Sequence, residues 1–222
     1  MRGAARVFGK SLFDAYQNLS VTIGVSLIWM VGILPIVTAG PVTAGMFYTI
    51  HRKKTADAFH FDDFLQGIKR FYKPTIFLFL LSGLFWAPAL IYFVLLTQAE
   101  PTLITRLLSG ALLYLMLMGA LVQGFCYPLM VIQNRTDVGG LLRDTFLLVG
   151  KRPFFSIAVL IGIGLMTAVC LWIPLLLVTV WAGAAGWMMY YSCLYLMPRD
   201  HPMLSNIDWH VDWRLVLKPW LQ

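Results

Sequence analysis

Charge is what this chain lacks. Asp, Glu, Lys and Arg make up 12% of its 222 residues, about half the share in an ordinary soluble domain. Four long stretches hold none of them: Ala15 to Ile50, Pro74 to Ala99, Leu107 to Asn134, and Pro153 to Pro198. Histidine and cysteine are also rare. Cys126, Cys170 and Cys193 fall in apolar runs without metal or redox spacing, so they read as buried thiols. No HExxH, GxSxG, phosphate-binding loop or CxxC occurs. No charge-free stretch carries a His either. An ionisable group at mid-bilayer costs at least about 2.5–3.5 kcal/mol, and those that persist usually mark function. These absences argue against an enzyme, an intramembrane hydrolase and a pump with a side-chain proton relay. They call for no metal and no cofactor.

Apolar residues are abundant instead, at 59%. A crossing needs about 20 apolar residues for a hydrocarbon core of roughly 30 Å. The second and third stretches, about 26 and 28 residues, each hold one; the first and fourth, about 36 and 46, suit a hairpin of two. The expectation is an all-α, polytopic integral membrane protein with six transmembrane helices. One transmembrane domain fills 1–198, and 199–222 form a short tail.

With the N-terminus in the cytoplasm, the inner segments collect Arg2, Arg6, Lys10, Arg52, Lys53, Lys54, Lys69, Arg70, Lys73, Arg135, Arg143, Lys151, Arg152, Arg199, Arg214 and Lys218. The outer side keeps only Arg106. Such a bias sets orientation, so both termini are expected inside, in a multi-pass protein of the inner membrane. The formal charge of +7 is thereby assigned to anionic lipid, at about 1 kcal/mol per basic residue, and not to nucleic acid. Arg52, Lys53, Lys54, Lys69, Arg70, Arg143, Lys151 and Arg152 are the expected headgroup contacts. Arg2 and Arg6 resemble the start of a signal peptide, but the apolar run begins only near Leu19 and runs too long; the segment is expected to be retained.

A threefold pattern recurs: an amphipathic segment, a crossing, a break and a return. The amphipathic pieces are 6–18, 61–72 and 138–149, and they fit interfacial helices. Asp62 and Asp137 are expected N-caps for the second and third. Pro74 and Pro153 are expected to mark where an elbow turns into a span, and Pro174 breaks the fourth stretch. Each unit crosses twice, so the three would run parallel, as repeats do in some transporters.

The first break is the most specific, Leu34-Pro35-Ile36-Val37-Thr38-Ala39-Gly40-Pro41-Val42-Thr43-Ala44-Gly45. Pro35 ends a helix and Pro41 suits the start of the next. Only about ten residues separate Pro41 from His51-Arg52-Lys53-Lys54, or roughly 15 Å of helix. Either the helix runs on to about Ala58 with its basic side chains snorkelling, or the turn sits within the membrane. A deep turn would offer Thr38, Gly40 and Thr43 to a polar or anionic group; an extracellular one would be a plain connection. Gln123 is the strongest polar residue near mid-span, suited to a polar path or, more simply, to interhelical bonding. Gly40/Ala44, Ala120/Gly124 and Ala182/Gly186 are spaced for close packing.

In the tail, Asp208, His210 and Asp212 would share one face of a strand, but three ligands on one short strand rarely close a coordination sphere. Trp209, Trp213 and Trp220 with Arg214 and Lys218 fit an interfacial anchor. His51 and His60 read as solvated loop residues.

The run from Ile33 to Phe71, LPIVTAGPVTAGMFYTIHRK followed by FHFDDFLQGIKRF, resembles the YesL-like family of bacterial membrane proteins. Tyr127-Pro128-Leu129 and the Leu141 to Leu148 helix are similar to its later segments. The resemblance implies a polytopic membrane protein without catalytic residues, and association with carbohydrate ABC importers. The two function classes expected are therefore a non-enzymatic accessory or scaffold subunit, partnered by an ABC transporter permease or by itself, and a small-solute permease or channel using the first hairpin and Gln123.

Overall fold

The computed structural model describes residues 2–56, 61–98, 100 and 102–197, and among them every regular element is a helix. In chain order these are α1 (Arg2–Gln17), α2 (Leu19–Gly32), α3 (Ala39–Ala56), α4 (Phe61–Gln98), α5 (Leu103–Gln133), α6 (Val138–Lys151), α7 (Pro153–Trp172) and α8 (Pro174–Leu196). By length and composition α4, α5, α7 and α8 can each cross a membrane, and α2 is a shorter apolar helix. The tail from 198 onward, with its expected strand and tryptophan anchor, lies outside the described residues, as does His60.

Local chemistry explains most boundaries. Asp137 caps α6 by accepting from the Gly140 N–H at 3.0 Å, and Thr102 caps α5 through Thr105 N at 3.2 Å. Asn134 ends α5 in the left-handed region, φ 53°, a role its short polar side chain tolerates. Pro153 and Pro174 open α7 and α8, where a missing N–H costs nothing. Leu177–Trp181 of α8 widen into a π-turn.

The structure differs from expectation at the second elbow. The 61–72 segment and the following span form one unbroken 38-residue helix, with Pro74 inside it. Proline deprives a preceding carbonyl of its donor. The carbonyl so deprived is that of Arg70, four residues back; the buried Thr75 hydroxyl instead bonds the next two, Phe71 O at 2.6 Å and Tyr72 O at 3.0 Å. Asp62 accordingly lies within the first turn of α4 and is not its N-cap. α4 is also not laid flat: Phe64, Gly67 and Phe71 are buried because α3 runs antiparallel along them. A Cβ on Gly45 would fall 2.9 Å from Phe64 O, and one on Gly40 2.7 Å from Thr75 O. Small residues thus let two backbones touch.

That pairing sets heights. The start of α3 lies beside Thr75 and Phe79, and α4 continues for 19 residues to Gln98, roughly 28 Å. The α2–α3 turn therefore stops far short of the α4–α5 tip. α3 runs through Arg52, Lys53 and Lys54 to Ala56.

The core gathers Trp187, Tyr190 and Tyr191 of α8 with Ile50, Phe64, Phe125 and Met130. α8 is half buried, whereas the most apolar windows of α4 and α7 are only 11% and 17% buried. Cys126, Cys170 and Cys193 are buried and free.

Candidate functional site

Three tryptophans organise the middle of the molecule. In the first hairpin Trp29 of α2 donates its indole N–H to Thr43 Oγ1 of α3 at 3.0 Å. In the second, Trp86 of α4 donates to Gln123 Oε1 of α5 at 2.7 Å. In the third, Trp181 of α8 donates to Thr167 Oγ1 of α7 at 2.8 Å. Each hairpin is thus clamped by one indole bonded to a polar residue on its opposite arm. Thr43 and Thr167 pass their own protons to Ala39 O and Ile163 O, at 2.7 and 2.8 Å, so no donor is stranded in an apolar setting. Trp29 and Trp181 also meet ring to ring, centroids 5.9 Å apart.

The three indoles surround a central cavity of about 350 Å³ that is also lined by Thr43, Gln123 and Tyr127. A second, lateral cavity of about 480 Å³ lies between α4, α5 and α6. Trp86, Gln123 and Tyr127 line both, so the Trp86–Gln123 bond is the partition between them. Both linings are overwhelmingly apolar.

The residues expected to form a polar site separate. Thr43 and Gln123 come together in the central cavity. Thr38 instead closes the α2–α3 turn, its hydroxyl bonded to Gly32 O, and Gly40 is packed on the α4 backbone. Pro35 lies in the turn and Pro41 in the first turn of α3. Ile36 holds φ 52°, a costly conformation for a branched side chain. The other small-residue pairs pack as well: Gly124 faces Met189, and Gly186 faces Ile50 and Met46.

A buried charge cluster forms the other polar feature, and sequence reasoning missed it. Asp14 is 2% exposed and joins three helices. It accepts from the Tyr191 hydroxyl of α8, from Lys54 of α3 at 2.9 Å and from Lys10 of its own helix at 3.1 Å. Burial alone would raise its carboxyl, but the Tyr191 bond and the two ammonium groups outweigh it and hold the carboxyl below its ordinary range. The available signal was that Asp14 is the sole acidic residue in the first 56.

His51 is not a solvated loop residue. It sits in α3 with Nδ1 3.0 Å from Tyr190 Oη, and burial, aided by the charge on Arg52, lowers its pKa. Among the expected headgroup contacts, Arg52 pairs with Asp63 at 3.3 Å and Lys54 with Asp14, and both stay exposed. Lys53 is half-buried, and Lys69, Arg70, Arg143, Lys151 and Arg152 are exposed as well. Arg152 also stands over the Tyr195 ring at 5.7 Å. Among the described residues no group of three His, Cys, Asp or Glu could hold a metal. Comparison with protein families, characterised proteins and solved structures finds no match.

Proposed function

We propose that the chain is a non-enzymatic polytopic protein of the inner membrane in three elbow-plus-hairpin units, with the α4–α5 and α7–α8 hairpins crossing the bilayer, the α2–α3 hairpin turning back within it, and both termini cytoplasmic. In this reading it acts as an accessory or scaffold subunit. The partner class is the permease of a solute-uptake transporter, as the YesL-like resemblance implies. The observation that carries the reading is the outward half of the α4–α5 hairpin. Leu84, Leu90, Ile91, Leu95, Leu107 and Leu108 are all exposed there, an apolar surface that the described residues leave uncovered and that suits another membrane helix. The centre, by contrast, spends its few polar groups on clamping its own hairpins. Purification from native membranes in mild detergent, with mass spectrometry of what accompanies the protein, tests this. A stoichiometric membrane partner is expected; a solitary particle would sink the accessory role.

The height difference supports a deep α2–α3 turn. Leu34, Ile36 and Val37 are exposed, which suits hydrocarbon better than water. Their N–H groups and that of Ala39 all bond to carbonyls within the turn, as a lipid-facing backbone requires.

A small-solute permease is the second reading, favoured by the meeting of Thr43 and Gln123 in one central cavity. It predicts that Thr38→Val with Thr43→Val abolishes flux while the fold survives. Unchanged uptake in that double variant removes it.

A further inference from the structure

The lateral cavity shares only the Trp86–Gln123 clamp with the central one, and it is the larger of the two. Its volume, about 480 Å³, lies within the range of roughly 300–1,000 Å³ that ligand sites occupy. Its inner wall is Leu78, Met118, Val122 and Cys126. Its polar groups are already engaged: Trp86 bonds Gln123, and the Ser82 hydroxyl bonds Leu78 O at 2.7 Å. A polar ligand entering here would lose hydrogen bonds to water and find none in return. The rim residues Leu81, Leu115 and Phe146 are exposed, on the flank that faces lipid if α4 and α5 lie in the bilayer. What reaches this cavity therefore arrives through hydrocarbon, and an acyl chain meets every requirement.

The charged flank narrows the choice of lipid. α6 contributes Leu142 and Phe146 to the cavity, and exposed Arg143 sits three residues from Phe146, on the neighbouring position of the helix surface. On α4, exposed Arg70 lies eight residues before Leu78, about two turns toward the charged end, with its guanidinium over the Phe71 ring at 5.9 Å. Both arginines are at the charged end of the molecule, and neither is in an ion pair among the described residues. Guanidinium groups suit phosphate, which they can grip in two places.

We propose that the lateral cavity binds one acyl chain of an anionic phospholipid, with the lipid phosphate held by Arg70 and Arg143. The proposal rests on α4 and α5 being embedded in the bilayer.

The test uses the full chain reconstituted in phosphatidylcholine vesicles containing a few per cent of a phosphatidylglycerol with a mid-chain diazirine. After irradiation, labelled peptides are mapped. Labelling concentrated on Met118, Val122 and Leu142, above that on the outward face of α7 at Leu165 and Val169, is expected. Unlabelled phosphatidylglycerol should compete it away far better than unlabelled phosphatidylcholine. Arg70→Gln and Arg143→Gln should each weaken that preference about fivefold. Ser82→Trp, which fills the cavity, should abolish the concentrated labelling. The competition experiment on the unaltered protein stands even where Ser82→Trp fails to fold. Equal labelling of cavity and α7 overturns the site while leaving the membrane reading intact, and equal competition by the two lipids overturns the anionic assignment. Absence of label on α7 and cavity alike overturns the membrane reading and the site together.

Discussion

Asp14→Asn removes the negative charge on which Lys10, Lys54 and Tyr191 converge. The substituted side chain keeps an acceptor for the Tyr191 hydroxyl but leaves both ammonium groups without a counter-charge. Removing one partner of a buried ion pair costs about 3–5 kcal/mol. Lys10 is nearly buried, with 11% of its side chain exposed, whereas Lys54 is 34% exposed. Lys54 can therefore turn to water, and its share resembles a surface pair of about 0–1 kcal/mol. The loss should come to about 3 kcal/mol, most of it through Lys10. Denaturant unfolding in micelles measures it, and hydrogen exchange in α1 should rise, because Asp14 ties α1 to α3 and α8. Adding Lys10→Met should restore a large part of the stability, since it removes the stranded charge. A loss below about 1 kcal/mol, or no recovery in the double variant, would refute the reasoning. Acid should reproduce the effect. The Asp14 carboxyl titrates lower in the folded chain than its ordinary 3.8, so its stabilisation is complete above about pH 5 and is lost as pH falls through the folded value.

Further expectations follow from single contacts. His51 is held below its ordinary 6.5, so the unfolded chain takes up a proton first as pH falls. Stability should drop on acidification below about pH 6.5, and His51→Gln should flatten that slope in thermal scans between pH 7 and 5. Thr75→Val strips the buried hydroxyl that bonds Phe71 O and Tyr72 O beside Pro74 and should cost about 0.5–1.5 kcal/mol in denaturant unfolding; an uncosted Thr75→Val contradicts a stabilising role for that hydroxyl. Ile36→Gly relieves about 1–2 kcal/mol of left-handed strain against about 0.5–1 of added chain entropy, so unfolding measurements should find stability unchanged or higher, never lower by more than 1 kcal/mol. A cysteine at Val37 should resist a membrane-impermeant maleimide that labels one at Thr102, and equal labelling would put the α2–α3 turn outside the membrane.

The helical class, the apolar stretches, the Asp137 cap and the opening prolines Pro153 and Pro174 were legible from sequence, because each depends on residues within a few positions of one another. Runs without charge, a carboxylate just before a helix and a proline at a first turn act through local chemistry. Other features needed the third dimension. Pro74 looked like a break because proline's effect on its own backbone is local, but the outcome was decided by packing against α3, which keeps Pro74 and Thr75 buried within one continuous helix. His51 looked solvated beside three basic residues until Tyr190, 139 positions away, covered it. The Asp14 cluster draws on Tyr191 and Lys54, and the partition between the cavities on Trp86 and Gln123, 37 residues apart. Thr43 and Gln123 could be singled out as polar residues in apolar runs, but only tertiary structure brought them into one cavity and showed their oxygens already taken by indoles. Composition and periodicity determine which helices form, since those are sums over neighbours. Which polar groups meet inside is a matter of helix pairing, and pairing follows from the fit of whole surfaces such as the glycine face of α3 on α4.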